Sequence, residues 1–255
     1  MNIDKLNDLI IASRNSPLAL WQSNLVKLRL EESCQIRTEI RIVKTTGDKH
    51  PELSLTRSGT KGLFIKEIEE ALLGDGADLA VHSFKDLPND QPERLMVVAL
   101  LEREDPRDVL ISPENKTFSE LPRNALIGTS SLRRQSQLKD LRPDLEFSNI
   151  RGNLDTRLKK VRRGECDALV VAAAGIHRLG LKDCITEYFP PEEVCPAVGQ
   201  GVIAVEVRKD KEEIRQKVRM LDHAQTRIIA QAERSFLRRL GGGCQAPIAA
   251  YATLQ

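Results

Sequence analysis

The 255-residue sequence has few aromatic residues, little net charge and no long apolar run. Aromatic residues make up 4% of it, and 39 Lys and Arg nearly cancel 37 Asp and Glu, which leaves a net charge of +2. Nucleic-acid-binding surfaces combine a basic field with aromatic side chains, so this composition argues against a nucleic-acid partner. The N-terminal stretch "MNIDKLNDLIIASR" is too polar for a signal peptide or a membrane span. We therefore expect a cytoplasmic protein with no nucleic-acid or membrane partner.

Cysteine is also scarce. The chain has five cysteines, an odd number, and none of them forms a C-x-x-C spacing. This pattern indicates neither a disulfide framework nor a zinc site, and we expect no bound metal. One cysteine, Cys244, directly follows three glycines in "RRLGGGCQAPIAAY". A lone cysteine is more often an inert buried thiol, but glycines let the backbone approach a bulky group closely, which favours a functional sulfur here.

What the sequence does contain is a regular alternation of strand and helix patterns. Strand patterns lie at 8–13, 37–45, 77–83, 95–101, 124–128, 145–150, 168–173 and 201–207. Helix patterns lie at 16–33, at 63–73, from Ser131 and at 154–163. The charged segment 102–108 interrupts the alternation and is typical of a hinge or crossover. The pattern predicts an α/β fold of two similar lobes, and a long helical pattern over 211–240 suggests a third small unit from about residue 220.

Polar and basic residues follow several of these strands. In open α/β sheets, ligands bind beyond the carboxyl ends of strands, where helix N-termini attract anions. The residues at these positions are Arg14, Ser16, Ser83, Lys85, Asp86, Thr129, Ser130, Ser131, Arg133, Arg134, Arg151 and Arg157. Residues 123–163 hold eleven Lys or Arg and four Asp or Glu, a local net charge of 11 − 4 = +7. Separate arginines of this kind suit an extended ligand with many carboxylates.

Each of these residues also has a less specific interpretation. An arginine pair at a helix start is usually solvated, and Ser130 and Ser131 can be simple helix caps. Asp86 beside Lys85 is more often a local ion pair than a catalytic group. The recurrence of the pattern at four strand ends favours ligand binding over solvated surface.

Nine strings occur in order along the chain and together resemble the porphobilinogen deaminase (hydroxymethylbilane synthase) family. They are "SRNSPLALWQ", "KGLFIKEIEEALL", "ADLAVHSFKDLP", "REDPRDVLIS", "GTSSLRRQSQL", "IRGNLDTRL", "AAAGIHRLGL", "PAVGQGVIAVEVR" and "LGGGCQAPIAAYA". The resemblance implies two periplasmic-binding-protein type II-like lobes and a small α+β third domain. The sequence stops at Gln255, shortly after the cysteine loop, so we expect either a fragment or a shortened third domain. Lobe 1 is then 1–102 with 202–220, lobe 2 is 103–201, and 221–255 begins the cofactor-carrying domain.

The resemblance also implies an activity. The family joins four porphobilinogen units head to tail with loss of ammonia and releases the linear tetrapyrrole hydroxymethylbilane. It uses a dipyrromethane cofactor, joined by a thioether to the cysteine that matches Cys244. Every pyrrole unit brings two carboxylates, which suits a site rich in arginine. A monomeric enzyme of heme biosynthesis is expected.

Roles follow position by position from the resemblance. Asp86 matches the catalytic aspartate. Other positions match residues that hold the cofactor and the substrate, namely Arg14, Ser16, Ser83, Lys85, Thr129, Ser130, Ser131, Arg133, Arg134, Arg151 and Arg157. Lys61, Phe64 and Gln200 lie in strings that line or flank the cleft. The chain has Gly59-Thr60-Lys61 where the family often has two glycines.

Two alternatives come from other classes of protein. A non-catalytic two-lobe binding protein for a polycarboxylate ligand has the same fold pattern, but it needs no tethered sulfur. An effector-binding regulatory module is the second, although no DNA-reading segment accompanies the lobes. Cys244 favours the enzyme.

Overall fold

The structure is a computed structural model, and it describes residues 8–49, 64–241 and 247–254. The chain divides into two compact units. Unit 1 comprises Met1–Arg103 and Val202–Ala230, and unit 2 comprises Glu104–Gly201 and Gln231–Gln255. The last boundary falls within a helix.

The elements alternate along the chain as the sequence pattern predicts. The strands are β1 (Asp8–Ser13), β2 (Arg37–Ile42), β3 (Leu79–Ser83), β4 (Leu95–Leu100), β5 (Asp108–Ile111), β6 (Leu126–Gly128), β7 (Glu146–Ser148), β8 (Ala168–Ala172), β9 (Glu187–Tyr188) and β10 (Ile203–Arg208). The helices are α1 (Pro17–Cys34), α2 (Thr46–Lys49), α3 (Lys66–Leu73), α4 (Leu132–Leu141), α5 (Leu154–Arg162), α6 (Ala173–Arg178), α7 (Glu212–Arg219) and α8 (Ala224–Arg239). Short 3-10 turns lie at Phe84–Asp86 and Lys182–Cys184.

The sheet of unit 1 has the strand order β2-β1-β3-β10-β4. Strand β1 is parallel to β2 and β3, whereas β10 is antiparallel to β3 and β4. Ile203, the first residue of β10, pairs with Ser83, the last residue of β3. The carboxyl ends of β1 and β3 and the start of β10 therefore share one edge.

The sheet of unit 2 repeats this arrangement with the order β7-β6-β8-β5-β9. Strand β6 is parallel to β7 and β8, and β5 is antiparallel to β8 and β9. Asp108, the first residue of β5, pairs with Ala172, the last residue of β8. Asp108 therefore lies at the edge where the parallel strands end.

Helices cover both faces of each sheet because successive strand residues point to opposite faces. In unit 1, Val26 and Leu30 of α1 pack on the face that carries Ile11, and the opposite face packs against α3. In unit 2, α5 packs on the face of Val171 and α4 on the face of Val170. Each unit thus has a three-layer core, and its strand ends are free to carry polar side chains.

The sequence predictions differ from the structure in several of the described elements. Residues 108–111, part of a presumed hinge and its exit, form strand β5, and the short β9 and α6 have no counterpart in the predicted pattern. The helical pattern over 211–240 is split into α7 and α8. The split has a physical cause: Asp222 accepts a hydrogen bond from the Leu100 backbone N–H, and the His223 N–H donates to the Leu100 carbonyl. These bonds fix residues 222–223 beside β4, so the first helix ends before them.

Candidate functional site

Arg14 follows β1 directly and is the basic residue at the first strand end of unit 1. Its Nη2 lies 2.6 Å from Asp48 Oδ1 and its Nε lies 3.2 Å from Asp48 Oδ2. The guanidinium stands 4.0 Å from the centroid of the Phe64 ring. Partial burial would raise the pKa of Asp48, but hydrogen bonds from Arg14 and Thr45 lower it below its usual range. Arg14 is therefore held as a fork-shaped cation beside an aromatic face.

Ser83 and Asp86 lie at the end of the neighbouring strand β3. The Ser83 hydroxyl accepts a hydrogen bond of 3.0 Å from Nε2 of the buried Gln22 on α1. The Phe84 N–H donates to the Val202 carbonyl across 2.9 Å, and its side chain is buried in the core. These contacts fix the 3-10 turn, in which Lys85 is half-buried and Asp86 is exposed. The turn presents a cation and an anion side by side.

Ser16 has a local structural role at the start of α1. It is the N-cap of α1, and its hydroxyl accepts from the Ala19 N–H across 3.2 Å, with Pro17 at the first helical position. A capping serine can also contact a ligand.

Unit 2 gathers three of the predicted residues around one buried carboxylate, that of Asp108. Arg133 Nη2 lies 2.6 Å from Oδ2, and Arg134 Nη2 lies 2.7 Å from Oδ1. Gln200 Nε2 donates to Oδ1 across 2.8 Å. Asp108 and Gln200 are 0% exposed, and the two arginines are 5% and 6% exposed. The arginine pair is therefore not solvated surface.

The electrostatics of this cluster leave a surplus of positive charge. Two guanidinium groups face one carboxylate, a net charge of +1. Burial would raise the pKa of Asp108, but the charges of Arg134 and Arg133 hold it well below its usual range. Burial lowers the pKa of Arg133, and the positive charge of Arg134 lowers it further, while the charge of Asp108 only partly offsets both. Arg134 Nε is buried without a hydrogen-bond partner among the described residues. The cluster suits a further anionic group.

The hydroxyl residues between β6 and α4 are oriented by local bonds. Thr129 Oγ1 accepts from the Ser131 N–H at 3.3 Å, and Ser130 Oγ donates to the Ile150 carbonyl at 2.9 Å. Ser131 is the N-cap of α4 and accepts from the Arg134 N–H. Ser131 is thus a helix cap, whereas Ser130 is not, and both lie at the helix N-terminus where backbone N–H groups favour anions.

Arg151 and Arg157 lie near the adjacent strand end, after β7. Arg157 Nε donates to the Gly152 carbonyl across 2.9 Å, and both arginines are half-buried. Gly152 has φ of +109°, and a Cβ there would come within 2.8 Å of Thr156. The glycine thus permits the turn that brings these arginines to the edge.

Two of the predicted site residues, Lys61 and Cys244, lie outside the described residues, as does Thr60. The structure also brings three residues into contact with the site that the sequence analysis does not single out: Asp48, Gln22 and Asp108. Asp108 belongs to the quoted string "REDPRD". Four charged residues precede Asp108 in this string. A charged run usually lies on the solvated surface, so the sequence does not indicate that Asp108 is buried at the site.

Comparison with known proteins decides the family. A family model described as "Porphobilinogen deaminase, dipyromethane cofactor binding domain" matches residues 9–216, and one described as "Porphobilinogen deaminase, C-terminal domain" matches residues 228–255. The chain belongs to the porphobilinogen deaminase family. Porphobilinogen deaminase of Syntrophomonas wolfei is 49% identical over 251 residues, covering 98% of this chain and 82% of that protein. The one from Syntrophus aciditrophicus is 51% identical over 243 residues, covering 95% and 79%.

Solved structures support the fold. The methionine binding protein MetQ has a TM-score of 0.54 at 11% identity, covering 98% of this chain and 100% of its own. A lipoprotein of Bacillus subtilis has a TM-score of 0.51 at 13% identity, covering 96% and 99%. The predicted fold of two periplasmic-binding-protein type II-like lobes is therefore confirmed.

Membership of the porphobilinogen deaminase family also settles the class of function. The protein is a transferase of tetrapyrrole biosynthesis that joins four porphobilinogen units with loss of ammonia and releases hydroxymethylbilane, and its cofactor is dipyrromethane. The alternative of a non-catalytic binding protein was wrong. The donors at the strand ends fit a ligand that carries several carboxylates, since arginine forks and hydroxyl groups dominate them. No described helix is long and apolar enough to cross a membrane.

Proposed function

We propose that the basic residues at the strand ends hold the carboxylates of the dipyrromethane and of the growing pyrrole chain. The observation that supports this most strongly is the buried Asp108 cluster with its net charge of +1. A guanidinium that is already fixed by a carboxylate loses little side-chain entropy when it binds an anion. Arg133 and Arg134 are thus oriented in advance, and Thr129, Ser130, Ser131, Arg151, Arg157 and Gln200 complete the anion site of unit 2.

Unit 1 supplies the reacting groups in this proposal. Arg14, Ser16, Ser83 and Lys85 bind carboxylates, and Lys61 lies in the segment expected to flank them. Asp86 is the catalytic residue. Loss of ammonia leaves a positively charged carbon on the substrate, and a carboxylate beside it stabilises that charge as it develops. The exposure of Asp86 on a turn whose backbone is fixed suits this role.

Cys244 is the proposed anchor for the cofactor. A thioether, unlike a disulfide, is not cleaved by cellular thiols, so it would hold the chain through every addition. When bound, the dipyrromethane supplies the carbon nucleophile that starts the chain. Residues 221–255 would then begin the cofactor-carrying domain, with 1–102 and 202–220 as lobe 1 and 103–201 as lobe 2. We further propose a cytoplasmic monomer without bound metal, nucleic acid or membrane.

The variant Asp86→Asn tests the assignment of the catalytic residue. Asn keeps the shape of the side chain and one acceptor oxygen but removes the negative charge. We expect turnover of porphobilinogen to fall by about two to four orders of magnitude, while the fold and the cofactor content stay unchanged. Asp90→Asn, a nearby exposed carboxylate, is the matched control and should match wild type. Turnover of Asp86→Asn within about threefold of the control would make Asp86 a structural residue.

A further inference from the structure

His177, near the end of α6, links two other residues of unit 2 that have no role in the proposed function. Its Nδ1 lies 3.1 Å from Glu104 Oε1, and its Nε2 lies 2.9 Å from the Tyr188 hydroxyl oxygen. The His177 side chain is 9% exposed. Both ring nitrogens thus have a polar partner, and the imidazole bridges them.

The chemistry of the partners fixes the hydrogen-bond directions. Partial burial would raise the pKa of Glu104, but hydrogen bonds from the Asp105 N–H and from His177 lower it. An ionised carboxylate only accepts, so Nδ1–H of His177 donates to Glu104. In the neutral imidazole, Nε2 is then the acceptor for the Tyr188 O–H. The order of donors runs from Tyr188 through His177 to Glu104.

The two residues that His177 bridges lie on either side of Asp108 along β5 and the segment before it: Glu104 precedes Asp108, and Tyr188 pairs with the residue that follows it. Tyr188 on β9 pairs with Val109 on β5, and its ring carries the Arg107 guanidinium at 4.2 Å. Arg107 donates to both carboxylate oxygens of Asp105, and the Arg107 carbonyl accepts from the Ala173 N–H at 3.0 Å. Glu104 and Tyr188 therefore fix the backbone on either side of the carboxylate that orients Arg133 and Arg134.

We propose that His177 is a positioning residue, which acts through Glu104 and Tyr188 to hold Asp108 and its two arginines in the geometry that binds carboxylates. The inference rests on the proposed function of Arg133 and Arg134. It assigns no contact between His177 and substrate.

The inference predicts a pH effect of defined sign. Protonation of His177 makes Nε2 a donor, so the Tyr188 O–H loses its acceptor and must turn, whereas the bond from Nδ1–H to Glu104 is kept. Acid pH should therefore weaken the positioning. The titratable and charged groups that act on His177, on its two partners or on Arg107 come from the segment before β5, α6, the 3-10 turn, β9 and the last described segment. They are Glu104, Asp105, Arg107, Arg178, Cys184, Tyr188 and Tyr251.

Four full-length variants test the inference. His177→Phe removes both hydrogen bonds, His177→Gln can replace both with its amide, and Tyr188→Phe removes only the hydroxyl. Lys182→Gln changes an exposed residue nearby and is the control. The measurements are hydrogen exchange of residues 104–111 by mass spectrometry, the cofactor content from intact mass, and kcat and KM against pH.

We expect His177→Phe to lower kcat/KM by about 5- to 30-fold, the scale of one or two lost hydrogen bonds, and to speed exchange over 104–111. His177→Gln should recover to within about threefold and lack the acid limb of the wild-type pH profile. Tyr188→Phe removes one of the two hydrogen bonds, so it should change kcat/KM and exchange in the same direction as His177→Phe but by less. It replaces His177→Phe as the test if that variant does not fold. Wild-type exchange and wild-type kcat/KM in both His177→Phe and Tyr188→Phe would overturn the inference, and so would an unchanged acid limb in His177→Gln.

A separate variant distinguishes this failure from failure of the proposed function. Arg133→Leu should lose cofactor content whatever His177 does. Normal cofactor content in Arg133→Leu would refute the anion site itself, whereas loss in Arg133→Leu with wild-type behaviour of both His177 variants would refute only the positioning role.

Discussion

Asp108 and Arg133 form an ion pair that is almost entirely out of solvent, with 2.6 Å between Oδ2 and Nη2. Asp108 begins an antiparallel strand, so its side chain reaches the edge at which the parallel strands end. The Asp108 carboxylate lies at the edge of the buried sheet and also orients Arg133 and Arg134. The packing of unit 2 and the geometry of its anion site therefore depend on the same residue.

Asp108→Asn should destabilise the protein strongly. The amide keeps the shape of the carboxyl group but leaves two buried guanidinium charges without an anion, and breaking a buried pair costs about 3–5 kcal/mol. Urea unfolding followed by circular dichroism measures the free energy of unfolding. Asp144→Asn is the control, because the Asp144 pair with Arg142 is partly exposed and its loss should change stability little. Equal effects of the two substitutions would contradict a special role of burial at Asp108.

The pairing also has a pH signature. The pKa of Asp108 is lowered in the folded state, so its contribution to stability is present above the unfolded pKa of 3.8 and is lost as pH falls through the folded value. Acid unfolding of the wild type should therefore be steeper than that of Asp108→Asn below pH 4.

Arg14→Leu should impair the start of chain growth. Its guanidinium is held by Asp48 and stacked on Phe64, and a charged hydrogen bond to a ligand carboxylate contributes about 1.5–3 kcal/mol, or about 10- to 150-fold in binding. Stopped-flow mixing with one equivalent of porphobilinogen measures the first addition. Arg41→Leu, at an exposed position of β2, is a control with the same chemical change. If the first addition in Arg14→Leu were as fast as in Arg41→Leu, Arg14 would have only a structural role as the partner of Asp48.

The sequence predicts much of this site because strand ends are readable from pattern. Short apolar runs place β1, β3 and β6, and the polar residues after them then fall at one edge of each sheet. The position of Asp108 cannot be predicted in this way. Its strand runs antiparallel and enters the sheet from a charged segment, so only the tertiary pairing with Ala172 places it at the site.

Contacts between distant segments explain the remaining differences. The break between α7 and α8 depends on backbone bonds to Leu100, more than a hundred residues earlier, which no local pattern contains. In the sequence, Gln22 is one polar residue in a helix pattern, and nothing local indicates a partner for it. The packing of α1 against β3 brings its amide to Ser83.

Glu69→Gln should stabilise the protein at alkaline pH. Burial and the nearby Glu206 raise the pKa of Glu69 to about 7, and His82 lowers it only in part. A carboxyl group with a raised folded pKa contributes stability below its unfolded value of 4.5, and this is lost as pH rises through about 7. The variant should unfold at a higher temperature than wild type at pH 8, with no gain near pH 4.5. Glu70→Gln, an exposed neighbour, is the control and should show no such difference.

The intact mass of the purified protein under reducing conditions tests the central claim most directly. The account predicts an adduct of two porphobilinogen units less two ammonias, resistant to thiols and carried by Cys244. Cys184→Ser is the control and should keep the adduct and the activity, since burial raises the pKa of that thiol and makes it a poor nucleophile. Cys244→Ser should lack both. An unmodified but fully active wild-type protein, or an active Cys244→Ser variant that still carries the adduct, would contradict the account.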